Sequence, residues 1–255
     1  MKRTSILAYG IVSYGIFFAT FLYAIGFLAN AVVPRTIDSG EAGPVGVAVA
    51  VDLALLALFA VQHSVMARPG FKRWWTRIVP PAAERSTYVL ASSIALIGLF
   101  WAWQPLPGMV YSVDGAVGRA LCTALFAGGV SLVLYSTFLI DHFDLFGLRQ
   151  VVLHFRGRGY EEKRFQTPSL YRFIRHPLYV GWFVTFWATP HMTWGHLLFA
   201  SVASAYILVA IVFEERDLLA VLGPEYRAWR ERTPRFLPSL GGGAQDERPT
   251  RAASV

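Results

Sequence analysis

Two polar, ring-rich clusters bracket one apolar stretch late in the chain. Tyr171, Arg172, Arg175, His176, Pro177, Tyr179 and Gly181 stand at its start. Glu214, Glu215, Tyr226 and Trp229 follow its end at Phe213. If the stretch folds back as a hairpin, both clusters meet at one membrane surface. The pocket they make is half in lipid and half in water, which suits a polar ligand meeting an apolar one. Paired carboxylates accept hydrogen bonds from a ribose or an ammonium group, and carboxylates with ring faces suit a sulfonium cation. Tyr226 and Trp229, three residues apart, share a face if that segment is helical. The competing reading is anchoring by interfacial rings and arginines. Adjacent glutamates immediately after an apolar run are less typical of anchoring alone.

A second set of residues suits proton transfer. Gln62-His63-Ser64 closes an earlier apolar run, and Asp141-His142-Phe143-Asp144-Leu145-Phe146-Gly147-Leu148-Arg149 follows another. Histidine is the side chain that exchanges protons near neutral pH. His142 and His63 are therefore candidate bases, with Arg149 as the accompanying cation. The alternative for the Asp141–Arg149 string is an interfacial helix with snorkelling charges. Asp52 lies inside an apolar run, where a carboxylate is a functional candidate by default or else sits hydrated near the interface. His63, His142 and His176 occupy separate segments without metal-ligand spacing. Cys-x-x-Cys-His is absent, as are phosphate-binding glycine loops and the Gly-x-Ser-x-Gly elbow. Cys122 is the single cysteine, so no intrachain disulfide forms and the thiol reads as a packing residue.

The elements that must position these groups are membrane helices. Of the 255 residues, 55% are hydrophobic and 15% charged, well below the charged share of a soluble domain. Ile6 to Val33 contains no charge, more than the ~20 residues that cross a bilayer. That length also favours a retained signal anchor over a cleaved leader. Spans are expected near 6–33, 45–66, 88–103, 117–140, 178–190 and 195–213. The third either extends into Gln104 or starts near Arg85. The fifth is too short for a full crossing before Pro190, so it continues as a bent helix or turns back. The Lys and Arg counts are two at the N-terminus, five in 67–87, seven in 141–177 and seven from 214 onward. The two remaining loops carry only Arg35 and Arg119. Six crossings put every rich segment on one side, which predicts cytoplasmic termini. The net charge of +7 thus reflects topology rather than nucleic-acid binding. The expected architecture is all-α: a polytopic bundle of five to six spans with a C-terminal helical hairpin and a cytoplasmic cofactor pocket. Residues 1–140 form its transmembrane region, 141–238 the loop, hairpin and cofactor segment, and 239–255 a disordered tail.

Arg-His-Pro-x-Tyr-x-Gly, the apolar hairpin, Glu-Glu and Gly-x-x-Tyr-x-x-Trp together resemble the isoprenylcysteine carboxyl methyltransferase and phospholipid methyltransferase superfamily. Phe59–Pro69, Asp141–Gln150 and Trp187–Thr193 extend the likeness to bacterial methanethiol S-methyltransferases over nearly the whole chain. The resemblance implies an S-adenosylmethionine-dependent enzyme of the bacterial inner membrane that turns methanethiol into dimethyl sulfide. It implies cofactor contacts from Tyr171, Arg175, His176, Pro177, Tyr179, Gly181, Glu214, Glu215 and Tyr226. His142 or His63 would take the thiol proton, and Arg149 would stabilise the thiolate. A prenylated or lipid acceptor on the same scaffold, or a non-catalytic NnrU-type membrane protein, are the alternatives.

Overall fold

The structure, a computed structural model, describes residues 2–161 and 165–238. The tail expected over 239–255 lies outside the described residues. The long helices are α1 (Arg3–Leu28), α2 (Val45–Ala67), α4 (Pro81–Ala102), α5 (Ala116–Ile140) and α9 (Trp194–Arg232). These five are long and apolar enough to cross a membrane, and the protein is an integral membrane helical bundle. Short helices fill the arginine-rich end: α3 (Pro69–Trp75), α6 (His142–Leu145) and α7 (Leu148–Phe155). The remaining helix, α8 (Pro177–Trp187), has 11 residues.

Local sequence sets the helix ends. Arg68 precedes Pro69 and is extended (φ −71°, ψ 140°), which closes α2 and opens α3. Pro81 occupies the first turn of α4, where its missing N–H costs nothing. That start lies earlier than the expected 88, because Glu84, Arg85 and Ser86 extend the helix beyond its apolar part. Asp141 adopts φ 112° and ends α5, and its carboxylate caps α6 by accepting from Asp144 N at 3.2 Å. Gly223 (φ 60°, ψ −131°) and Pro224 break α9, so its last ten or so residues leave in a new direction.

The short fifth segment is neither one bent helix nor a turn back: it runs along the bundle in two conformations, a helix and then extended chain. α8 spans roughly 16 Å at the helical rise per residue. After Trp187 the chain runs extended, and β2 (His191–Thr193) pairs antiparallel with β1 (Met109–Ser112). This small sheet was not expected. Backbone groups at this depth need protein partners, and they have them. Val113 N donates to Pro190 O at 2.8 Å, and His196 Nε2 donates to Phe186 O at 2.8 Å.

α8 lies against α5 at a glycine crossing. A Cβ on Gly181 would come 2.8 Å from Gly129 O, and one on Gly129 would come 2.6 Å from Thr185 Oγ1. Small residues let membrane helices approach this closely. The core joins α1, α2, α4, α8 and α9 through Phe27, Leu56, Leu99, Phe100, Trp103, Phe186, Phe199 and Ile207.

Candidate active site at the arginine-rich end

The hairpin of α8 and α9 closes. His176 Nε2 and Arg175 Nε each lie 3.0 Å from Glu215 Oε1, and Arg235 Nη2 lies 3.4 Å from Oε2. Glu215 is 3% exposed and His176 6% exposed, so the clamp is buried on this side, while Arg235 is half exposed. The Arg175 contact is an ion pair without hydrogen-bond alignment. The backbone reinforces it: Arg175 N donates to Pro234 O at 2.9 Å, and His176 N to Arg235 O at 3.1 Å. Arg175 Nη1 also donates to Arg230 O at 2.6 Å. Pro177 biases His176 away from the helical region, and His176 sits at φ −127°, ψ 58°, where its N–H meets the returning chain.

Glu214 faces differently. Its Oε2 accepts from Tyr179 OH at 2.7 Å. Tyr88, Tyr171 and Tyr226 lie near enough to feel its charge. Burial, reinforced by Glu214, holds the Tyr171 hydroxyl well above the usual phenol range. Phe165, Tyr226 and Trp229 form a ring cluster with centroids 5.2 to 5.7 Å apart. The shared face expected for Tyr226 and Trp229 is therefore present. Trp229 Nε1 donates to Tyr171 O at 3.2 Å. Tyr226 is 1% exposed, yet among the described residues its hydroxyl has no partner. A cleft of about 130 Å³ opens beside these rings, lined by Phe165, Gln166, Thr167, Glu225, Trp229 and Arg232. A larger apolar cleft of about 490 Å³ lies at the opposite end of the bundle, between the starts of α2 and α9. It holds none of these groups.

Gly181 has a different place from the cofactor contact expected of it. Its missing Cβ makes room for α5, as described above, so it sets helix spacing rather than lining the cluster.

The candidate bases separate. His142 is 3% exposed, stacked on Phe138 at 4.4 Å and edge-on to Phe146 at 4.9 Å. Both ring nitrogens are engaged. Thr137 Oγ1 gives its proton to Leu134 O at 2.6 Å, so it accepts from His142 Nδ1–H at 2.8 Å. Nε2 then accepts from Tyr14 OH at 2.8 Å. Burial depresses the imidazole pKa, with Asp141 opposing. None of these partners belongs to the Glu214 cluster. Arg149 is also engaged: it pairs with Asp144 Oδ1 at 3.2 Å, and Tyr160 OH donates to Oδ2 at 3.2 Å.

His63 does join the Glu214 cluster. Ser92 Oγ lies 3.2 Å from its Nδ1, and Tyr88 OH lies 2.8 Å from Nε2 and 3.1 Å from Nδ1. Tyr206 stands edge-on at 6.5 Å and contacts Ser64 at 3.2 Å. Tyr88, Tyr179 and Glu214 interact electrostatically. Arg85 completes the group, 5.7 Å above the Tyr88 ring. The sequence reading missed Arg85, Tyr88 and Ser92. Their spacing of three and seven residues, a polar stripe on an apolar helix, was the available signal. Asp52 at the opposite end is fully buried, and its Oδ1 accepts from Gln104 N at 2.9 Å. Among the described residues no cluster of metal-binding side chains occurs.

No family model and no solved structure matches the chain significantly. Curated relatives do. The chain is 57% identical to a methanethiol S-methyltransferase of Mycobacterium tuberculosis over 93% of its own length and 98% of the relative's. It is 50% identical to the methanethiol S-methyltransferase of Crocosphaera subtropica over 94% of each chain. Methanethiol S-methyltransferase 2 of Bradyrhizobium diazoefficiens is 52% identical over 93% of this chain and 92% of its own. An α8–α9 hairpin clamped at Glu215, with a second carboxylate among tyrosines, thus stands in a chain aligned end to end with these enzymes, and the protein belongs to the methanethiol S-methyltransferase family.

Proposed function

We propose that the protein methylates methanethiol with S-adenosylmethionine, releasing dimethyl sulfide, at the cytoplasmic end of a bundle in the bacterial inner membrane. The observation that carries this reading is Glu214: one carboxylate oxygen accepts from Tyr179, and its charge reaches Tyr88, Tyr171 and Tyr226. Carboxylate and ring faces together suit a sulfonium and its attached amino acid. The unpartnered Tyr226 hydroxyl fits the same ligand, since buried hydroxyls ordinarily find a partner. When bound, S-adenosylmethionine supplies an electrophilic methyl group.

The chain's residues hold and shield. Glu214, Tyr171 and Tyr226 would contact the polar parts of the cofactor, and Phe165 and Trp229 its flat base. Glu215 holds Arg175 and His176 in register with α9, which keeps Tyr179 on Glu214. The acceptor must reach the site as a thiolate, because the thiol is a poor nucleophile. Direct displacement needs no covalent enzyme intermediate, consistent with a single cysteine that sits within α5. Thiolate and sulfonium lose their charges together, so excluding water favours the reaction. A small apolar acceptor reaches such a site from the bilayer. Calorimetry of purified protein with S-adenosylmethionine, followed by headspace assay with methanethiol, tests the proposal. Binding and dimethyl sulfide are the expected results, and absence of cofactor binding would refute it.

A further inference from the structure

We propose that Arg85, Tyr88 and His63 activate the acceptor: Tyr88 passes the thiol proton to His63, and Arg85 stabilises the thiolate. This deepens the reading of the site given above and rests on it. Two relationships single out these residues. First, the alternatives are occupied. Arg149 is paired with Asp144, and both nitrogens of His142 are bonded within an aromatic cage. Second, Arg85 forms no ion pair or side-chain hydrogen bond among the described residues. It lies over the Tyr88 ring and within electrostatic reach of His63. A cation with no carboxylate partner among the described residues, set beside a histidine and a tyrosine at the membrane edge, is what an anionic acceptor requires.

Tyr88 touches His63 and lies within electrostatic reach of Glu214. Its hydroxyl is 2.8 Å from His63 Nε2, and the Glu214 and Tyr179 side chains interact with it electrostatically. Ser92 Oγ at 3.2 Å from Nδ1 fixes the ring. One turn of α4 therefore carries the cation and the relay, and α2 carries the base. The charged and titratable groups facing this trio are Arg68 at the end of α2, Tyr160 after α7, Tyr179 of α8, and Tyr206 and Glu214 of α9; Tyr160 donates to Asp144 and lies within electrostatic reach of Arg85. Arg68 is paired with Asp217 at 2.8 Å, which leaves Arg85 as the cation facing the acceptor.

The step balances. The S–H bond of the thiol breaks and its electron pair stays on sulfur. The proton goes to Tyr88 Oη as the Tyr88 proton moves to His63 Nε2. The thiolate, held by Arg85, forms an S–CH₃ bond while the sulfonium donor's S–CH₃ bond breaks and that pair returns to the donor sulfur. Two neutral thioethers result, and His63 releases the proton to water.

The test uses purified full-length protein in lipid nanodiscs. Wild type, Tyr88→Phe, Arg85→Gln and Arg85→Lys are compared in cofactor calorimetry and in kcat/KM for methanethiol across pH. Ultraviolet thiolate absorbance is also read on adding methanethiol without the donor. Cofactor affinity should stay within about twofold while kcat/KM at neutral pH falls by ~100-fold in Tyr88→Phe, the scale of a lost proton-transfer group. That deficit should shrink as pH rises and thiolate forms unaided. Arg85→Gln should lose the thiolate absorbance, and Arg85→Lys should recover part of it. Wild-type kcat/KM and pH profile in Tyr88→Phe and Arg85→Gln would overturn the trio and leave the cofactor reading standing. Failure of wild type to bind the cofactor would overturn both. Tyr88→Phe removes a single oxygen, so it keeps the test open if Arg85→Gln fails to fold.

Discussion

His176 Nε2 and Glu215 Oε1 lie 3.0 Å apart, so the residue that opens α8 is fastened to the residue that follows Glu214 on α9. The two glutamates thereby divide their work. Glu215 binds the protein to itself, and Glu214 faces the tyrosines.

The buried clamp makes Glu215→Gln a change of folding before it is a change of cofactor binding. Removing the charge strands Arg175 and His176, whose side chains are 10% and 6% exposed. Breaking a buried pair on one side costs about 3 kcal/mol or more. Glu215→Gln should therefore lower the thermal midpoint strongly. Glu214→Gln should cost at most about 1 kcal/mol, one neutralised hydrogen bond, while weakening cofactor affinity at least ~10-fold, the equivalent of 1.4 kcal/mol. Differential scanning fluorimetry and calorimetry on both variants would expose an inverted order.

Tyr226→Phe separates ligand contact from packing. The hydroxyl has no partner among the described residues, so its removal should leave stability unchanged or slightly raised. Cofactor affinity should fall by ~5-fold or more, a lost hydrogen bond of about 1 kcal/mol. Unchanged affinity would assign the cofactor to other groups.

Gly181→Ala tests the crossing of α5 and α8. Its Cβ would meet Gly129 O and Val133 Cγ2, each at 2.8 Å. Backbone cannot yield cheaply there, and overpacking of this kind costs about 1–3 kcal/mol. The expected result is a lower thermal midpoint with the cofactor affinity of the remaining folded protein retained. A Gly181→Ala protein that melts like wild type would show that the helices can separate without penalty.

His142 gives stability a pH dependence. The folded protein holds it neutral, between Thr137 of α5 and Tyr14 of α1, and burial depresses its pKa from the ordinary 6.5 against the opposing charge of Asp141. The unfolded chain therefore takes up the proton first as pH falls. Stability from this site is complete above about pH 6.5 and is lost as pH falls through that value towards the lower folded pKa. Thermal midpoints of wild type and His142→Gln across this range should converge on acidification. A constant difference between them would remove His142 as the source.

Much of this architecture was legible in the sequence because it depends on local patterning. Charge-free runs gave the long helices, and Pro69, Pro105 and Pro190 gave their limits. The closed hairpin followed from Glu214-Glu215 leaving the membrane opposite Arg175-His176. What escaped depended on pairing between distant segments. β1 and β2 pair across some 80 residues, and neither strand has the length or alternation that marks one alone. Arg85 read as one cation among several in a basic loop, and only its place over Tyr88 distinguishes it. His142 looked available until Thr137 and Tyr14 were seen to occupy both nitrogens. Gly181 sat inside a motif of polar residues, yet its function is to admit a neighbouring helix.

Transfer of a methyl group from a sulfonium donor to methanethiol leaves an isotopic signature in the product. Purified protein supplied with S-adenosylmethionine carrying a trideuterated methyl group, and with unlabelled methanethiol, tests it by headspace mass spectrometry. The expected product is dimethyl sulfide with one trideuteromethyl and one ordinary methyl group, formed by wild type and strongly reduced in Glu214→Gln. Absence of labelled product from folded wild-type protein, or equal formation by Glu214→Gln, would contradict it.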